Sequence, residues 1–244
     1  MADRVALVTG AGRGIGLGIV RALASAGCAV AIQDIDEAVA REQAELINRE
    51  GGRAIALGGD LTDHNVAAAL PEKVVNRFES LHVLVNNASI QSQVDWTKAD
   101  FAEMNREIET NLLVPIVLAQ KSVPFFRKHN WGRILNIGSI QQTTGNAGML
   151  AYSLSKAALE KMTTALAKKL AAEHITVNLI APGYFDTLRN QKDAPRMDVI
   201  AKHIPMHRIG QPEDCGGIAL ALCSDAGAYI TGQSIYVDGG MSVA

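Results

Sequence analysis

The chain has 244 residues, a formal net charge of -2, and 48% hydrophobic but only 5% aromatic residues. A chain of this length buries roughly 70–75% of its unfolded surface, so one α/β domain stands without disulfide or metal staples. Acidic and basic residues are interspersed, which excludes the charge footprint of a nucleic-acid or anionic-membrane partner.

Short apolar runs alternate with longer amphipathic stretches from end to end. Strands are predicted at Arg4–Val8, Ala29–Gln33, Ala54–Leu57, Val83–Val85, Arg133–Ile137, Thr176–Ile180 and Ser234–Val237. Helices are predicted between them, over Gly14–Ala26, Asp36–Arg49, Thr62–Glu79, Asp100–Lys128, Leu150–His174 and Pro212–Ser224. Asp36 and Thr62 sit at N-cap positions, Gly27 and Gly51 close the first two helices, and Pro212 suits a first helical turn. Strands alternating with helices imply a doubly wound, Rossmann-like α/β sheet of about seven parallel strands with helices on both faces. No repeat or linker divides it, so residues 1–244 read as a single domain. Three cysteines, Cys28, Cys215 and Cys223, form no CxxC pair and read as reduced core thiols of a cytoplasmic protein. The opening MADRVALVTG lacks the pattern of a signal peptide, and no apolar run approaches the ~20 residues of a membrane span.

Ligands of such sheets bind beyond the carboxyl ends of the strands, near the point where strand order reverses. The segment Thr9-Gly10-Ala11-Gly12-Arg13-Gly14-Ile15-Gly16 follows the first strand and opens the first helix. Its spacing is G-x-x-x-G-x-G rather than G-x-G-x-x-G, but the physics is shared. Gly10 permits a tight turn, Gly14 lets backbone approach a pyrophosphate at the helix N-terminus, and Gly16 lets the helix lie close to the sheet. The absence of a following Lys-Ser or Lys-Thr argues against a P-loop. A purely structural turn would carry the same glycines. Asp34 lies 20 residues after Gly14, directly after the second strand, where an acid accepts hydrogen bonds from the adenosine ribose hydroxyls. A carboxylate there repels the 2′-phosphate of NADP, and Ile35 stands where a basic partner for that phosphate would be. Arg13 is the dissenting cation; Asp34 outweighs it, and NAD is the expected cofactor.

Tyr152-Ser153-Leu154-Ser155-Lys156 lies near the start of a predicted helix, with Tyr152 and Lys156 on one face. A phenol is a poor base at neutral pH, and a neighbouring ammonium favours its phenolate. Ser139 ends the fifth strand 13 residues earlier, so the intervening loop is able to fold it back beside Tyr152. A Tyr–Lys pair alone is more often a solvated helix face; a dinucleotide-type turn on the same sheet edge reverses that judgement.

Together these motifs resemble the short-chain dehydrogenase/reductase family in its single-domain form. The resemblance spans the whole chain and is carried by TGAGRGIG, the NNA segment Asn86–Ala88, Asn111, Ser139, YxxxK and Pro182–Gly183 with Thr187. It implies that Tyr152 is the general acid/base, that Ser139 polarises the reacting oxygen, and that Lys156 binds the nicotinamide ribose and lowers the tyrosine pKa. It further implies that Asn111 holds a proton-relay water. Asp60 and Leu61 would contact the adenine, and Asn87 and Ala88 the adenosine-side ribose. Pro182, Gly183 and Thr187 would hold the nicotinamide carboxamide, with Gly10, Arg13, Gly14, Ile15 and Gly16 around the phosphates. The family usually carries glycine where this chain has Ser89, and a positive φ there would cost roughly 1–2 kcal/mol. The segment Gly232–Gly240 resembles the family's last strand and implies a homotetramer. Residues Leu188–His207 are expected to form a mobile flap over the substrate.

The six histidines contain no H-E-x-x-H, and His203 and His207 flank Pro205, so no metal site is expected. Ser153–Lys156 satisfies the S-x-x-K of some hydrolases, but neither S-D-N, K-T-G nor G-x-S-x-G accompanies it. A non-catalytic NAD-binding protein should have lost Tyr152 or Lys156. Ser89, Gln91, Gln93, Gln141, Gln142, Asn146, Tyr184 and Arg189 are expected to face the substrate. That polar set suits a sugar, sugar acid or polyol, although loops facing solvent are polar too. The alternative within the family is an NADPH-dependent 3-oxoacyl-carrier-protein reductase, against which Asp34 argues.

Overall fold

Seven short apolar runs pair in parallel into one sheet, in the computed structural model that describes residues 1–188, 190 and 196–243. The strands are β1 (Val5–Thr9), β2 (Ala29–Asp34), β3 (Ala54–Gly58), β4 (Val83–Asn86), β5 (Gly132–Ile137), β6 (Ile175–Pro182) and β7 (Ser234–Val237), in the order β3-β2-β1-β4-β5-β6-β7. The predicted strands therefore all form, within one or two residues at each end. Parallel strands need crossovers, and the crossovers put helices on both faces. α1 (Gly14–Ser25), α2 (Glu37–Arg49) and α9 (Gly216–Cys223) cover one face, where Ile19, Leu23, Ala44 and Leu222 meet Ala6 and Val8. α3 (His64–Phe78), α5 (Val114–Lys128) and α7 (Leu150–Leu170) cover the other, where Leu70, Val74, Leu118, Phe126 and Leu170 meet Val5 and Leu7. Both faces of β1 are thus buried, which is why its run is continuously apolar.

Asp36 caps α2 by accepting the Val39 amide, while Gly27 and Gly51 take left-handed φ values of 87° and 88° just past α1 and α2. The start of α3 differs from expectation. Asp63, not Thr62, is its cap and accepts the Asn65 amide; the Thr62 hydroxyl instead donates to Asp60 at 2.9 Å. The predicted helix Leu150–His174 ends as α7 at Leu170, followed by a 3-10 turn, Ala171–Glu173, and His174 at a φ of 56°.

The predicted single helix Asp100–Lys128 is broken at an informative place. It consists of α4 (Phe101–Ile108), one turn of π-helix (Glu109–Leu113) and α5. Pro115 explains the break. It lies four residues after Asn111, has no N–H to give the Asn111 carbonyl, and its ring would collide with that oxygen in an α-helix. The Val114 amide accordingly reaches five residues back, to Glu109. Two short helices were not anticipated, α6 (Gln141–Thr144) and α8 (Met197–Lys202), both too short for periodicity to reveal.

Candidate active site

The carboxyl ends of β1, β2, β4, β5 and β6 open into one cleft of about 680 Å³. Gly10, Arg13, Gly14, Ile15, Asp34, Asp60, Leu61, Asn87, Ala88, Ser139, Tyr152, Lys156, Pro182, Gly183 and Thr187 all line it. Of the anticipated catalytic and cofactor-binding residues only Gly16 and Asn111 do not.

The glycine turn is shaped by close backbone approach. Gly10 has a φ of 58°, and an added Cβ would lie 2.7 Å from the Ala88 Cα. Gly14 has a φ of 57° with only Thr187 near, at 3.5 Å, so space is left over the N-terminus of the 12-residue α1. Gly16 packs behind the turn, where a Cβ would come within 2.5 Å of Asn87 Nδ2. Asn87 in turn spends both amide hydrogens on the turn, donating to Thr9 O and Gly10 O at 2.8 Å each. Asp34 is only 6% exposed. Its Oδ2 accepts the Gly12 amide at 3.0 Å and its Oδ1 the Asp36 amide at 3.1 Å, which aims the carboxylate at the cleft floor. Each oxygen keeps a lone pair for a ribose hydroxyl. These residues fit a nicotinamide dinucleotide: an open cradle on a helix N-terminus, then a fixed acceptor at the end of the next strand.

Arg13 is drawn 3.4 Å from Asp36 at the exposed rim. The Asp60 carboxyl is held below its ordinary range, first by the Thr62 amide, with further help from the Thr62 hydroxyl and from Arg106 at 3.5 Å.

At the other end of the cleft, helical spacing presents Tyr152 and Lys156 together. Lys156 is 2% exposed. Its ammonium donates to Ile137 O at 2.7 Å and stands 5.6 Å from the Tyr152 ring centre, so the β5 terminus fixes the cation beside the phenol. The Ser139 hydroxyl accepts the Gln141 amide at 3.2 Å, and its own amide donates to Gln142 Oε1.

Asn111 is placed in the scaffold, and two substrate-facing expectations need correction. The Asn111 side chain is buried away from the cleft, bonding both Ile90 N and Ile90 O at 2.9 Å and Ser155 Oγ at 3.1 Å. Its two amide hydrogens are therefore spent on the fold. Gln142 is also a buried scaffold residue, bonding Ser139 N and Ser234 Oγ, and Asn146 caps the 3-10 turn Ala147–Met149 by accepting Gly148 N. Neither lines the cleft, whereas Ser89, Gln91, Gln93, Gln141 and Tyr184 do. Ser89 does not adopt a positive φ, so replacing glycine brings no left-handed strain. Arg189 and residues 191–195 of the expected flap lie outside the described residues; Leu188 and Asn190 line the cleft.

Two supporting residues went unrecognised. The Thr9 hydroxyl accepts the amides of both Asn87 and Ala88 at 3.1 Å. Gln33 accepts the Gly10 amide and donates to Gly59 O, tying β1 to the end of β3. A buried polar residue at a strand end was their one signal. Among the described residues no cluster of three His, Cys, Asp or Glu side chains is placed to hold a metal, and no helix is long and apolar enough to cross a membrane. The three cysteines are unpaired and buried, and burial pushes each thiol up to about 12.

A dinucleotide cradle at one end of a cleft and a cation-backed phenol at the other suit one class of reaction. The protein is a nicotinamide-dinucleotide-dependent oxidoreductase acting on CH–OH groups. A family model described as Enoyl-(Acyl carrier protein) reductase matches residues 10–242. The 3-oxoacyl-(acyl-carrier-protein) reductase FabG of Aquifex aeolicus is 36% identical over 240 residues, covering 98% of this chain and 97% of that one. The 2-dehydro-3-deoxy-D-gluconate 5-dehydrogenase of Dickeya dadantii is also 36% identical, over 243 residues, covering 97% and 94%. The crystal structure of a gluconate 5-dehydrogenase from Burkholderia cenocepacia, in complex with NADP and tartrate, superposes with a TM-score of 0.94 at 32% identity, covering 100% of this chain and 97% of that one. The chain belongs to the short-chain dehydrogenase/reductase family.

Proposed function

We propose that this enzyme uses NAD(H) to interconvert a secondary alcohol and a ketone on a small polyhydroxylated or acidic substrate such as a sugar acid. The observation that carries the reading is the buried Asp34 carboxylate, anchored by two backbone amides in the same cleft as Ser139, Tyr152 and Lys156. A 2′-phosphate at this position would meet that fixed charge, and like charges in close register are strongly disfavoured. Relatives named for gluconate and for 2-dehydro-3-deoxy-D-gluconate support the substrate class, as do the polar side chains of Ser89, Gln91, Gln93 and Gln141 along the cleft.

In the oxidation direction the Tyr152 phenolate oxygen takes the substrate hydroxyl proton, while Ser139 Oγ donates to the same oxygen and holds it in place. Lys156, fixed by Ile137 O, stabilises the phenolate through its charge and offers donors to the ribose of the cofactor. A nicotinamide held in this cleft would supply the acceptor for the hydride of the carbinol carbon. Asn111 serves as a positioning residue, linking Ile90 to the Tyr152 helix through Ser155. Pro182, Gly183 and Thr187 close the nicotinamide end. The enzyme is proposed to be a cytoplasmic homotetramer; exposed Phe101 and Leu154 on α4 and α7 give apolar surface for a second copy.

A second reading, an NADPH-dependent 3-oxoacyl-carrier-protein reductase, is favoured by the names of several relatives at 35–36% identity. Initial rates with NAD(H) and NADP(H) across sugar acids, polyols and a 3-oxoacyl thioester separate the two. NAD-linked oxidation of a sugar acid is expected. Asp34→Asn removes the charge but keeps an acceptor, and should shift the NADP/NAD selectivity by at least about 10-fold. Faster NADPH-linked turnover of the thioester by the wild type would refute the first reading and establish the second.

A further inference from the structure

Three anchors hold residues 89–94 against the body of the protein. Asn111 takes the amide and carbonyl of Ile90, Glu107 accepts the Ser92 amide, and Gly148 O accepts the Val94 amide at 3.0 Å. Alternating with the anchored positions, Ser89, Gln91 and Gln93 line the cleft. Met149 lines the same cleft three residues before Tyr152. Its thioether accepts from Gln91 Nε2 at 3.0 Å and lies 3.8 Å from Gln93 Nε2. Glu107 is 2% exposed, and neither the cofactor cradle nor proton transfer makes use of it.

A thioether sulfur is a weak acceptor, whereas an amide N–H is a full donor. Gln91 is therefore kept in one place by a partner that any carboxylate or hydroxyl oxygen outcompetes, since hydrogen bonds to charged oxygens are roughly twice as strong as neutral ones. The sulfur keeps the amide oriented while giving it up at little cost.

We infer that Gln91, parked on Met149, recognises a carboxylate or hydroxyl oxygen of the substrate other than the reacting one, and that Glu107 is the positioning residue that fixes its backbone. The inference rests on the proposed sugar-acid class of substrate. It adds a specificity-determining side chain whose resting state is built into the turn that leads into the helix carrying Tyr152.

Steady-state kinetics with NAD of the wild type and of Gln91 and Glu107 variants, on D-gluconate, D-glucitol and cyclohexanol, test it. Gln91→Leu should raise the KM for gluconate by about 10–100-fold, the loss expected for a hydrogen bond to a charged group, with the effect on KM rather than kcat. Selectivity for gluconate over cyclohexanol should fall by the same factor. Gln91→Glu, nearly isosteric and serving also where the leucine variant does not fold, should penalise gluconate more than the uncharged glucitol. Glu107→Leu should raise the gluconate KM, and Glu107→Gln, which keeps an acceptor for Ser92, should restore it. An unchanged gluconate KM in both Gln91 variants overturns the inference and leaves the substrate class standing. If the wild type turns over neither gluconate nor glucitol, both fall.

Discussion

The Thr9 hydroxyl offers the sharpest test of how the cofactor cradle is supported. It is 1% exposed at the end of β1, accepts the Asn87 and Ala88 amides at 3.1 Å each, and donates to Val85 O at 3.4 Å. Thr9→Val replaces the oxygen with a methyl of the same shape, so the two amides lose their acceptor without a change in volume. An unsatisfied buried donor costs about 1–3 kcal/mol. Both amides are only partly buried, which places each near the lower end, and the added methyl returns up to about 0.8 kcal/mol. The net expectation is a loss of roughly 1–3 kcal/mol. Thr9→Ser keeps the oxygen and should lose only the methyl, about 1 kcal/mol or less. Because Ala88 abuts Gly10, the valine variant should also bind the dinucleotide more weakly than the serine variant does. Urea denaturation gives the stabilities, and calorimetric titration with NAD gives the affinities. A valine variant as stable as the serine variant, with equal affinity for NAD, would refute the support role.

Two further outcomes follow from the geometry. Tyr152→Phe removes the proton-transferring oxygen while leaving Lys156 on Ile137 O, so turnover should drop by about 10²–10⁴-fold with NAD affinity retained; substantial residual turnover would argue for another acid/base. His82 accepts the Val5 amide at Nδ1, and burial, with His129 and Arg4 nearby, pushes its pKa down to about 4. Between pH 6.5 and 4 the unfolded chain takes up a proton that the folded one refuses, so stability from this group is complete above 6.5 and falls as pH drops towards 4. The loss is at most about 3 kcal/mol. His82→Asn should flatten that slope in denaturation midpoints compared at pH 7.5 and 5, and an unchanged slope would rule His82 out as its source.

Much of this protein was already determined along the chain. Strand and helix periodicities are local, and with both faces of the sheet covered they leave few topologies open. The glycine turn, Asp34 and the Tyr152–Lys156 spacing are likewise encoded within single turns or strand ends, and they converge on one cleft because parallel strands all end there. What lay beyond the sequence was the identity of long-range partners. Asn111 reads as a site residue only through the family resemblance and Gln142 through its place among the polar loop residues, and their side-chain amides are bonded to Ile90, Ser155 and Ser234. Thr9 and Gln33, polar residues at strand ends, show locally that each needs a partner but not which loop supplies it. Pro115 was visible, but the π turn it imposes appears only once the Asn111 carbonyl is considered beside it. Local spacing decides which element a residue joins; a polar side chain buried between elements takes its role from whichever groups the fold leaves unpaired beside it, and only the tertiary structure decides which those are.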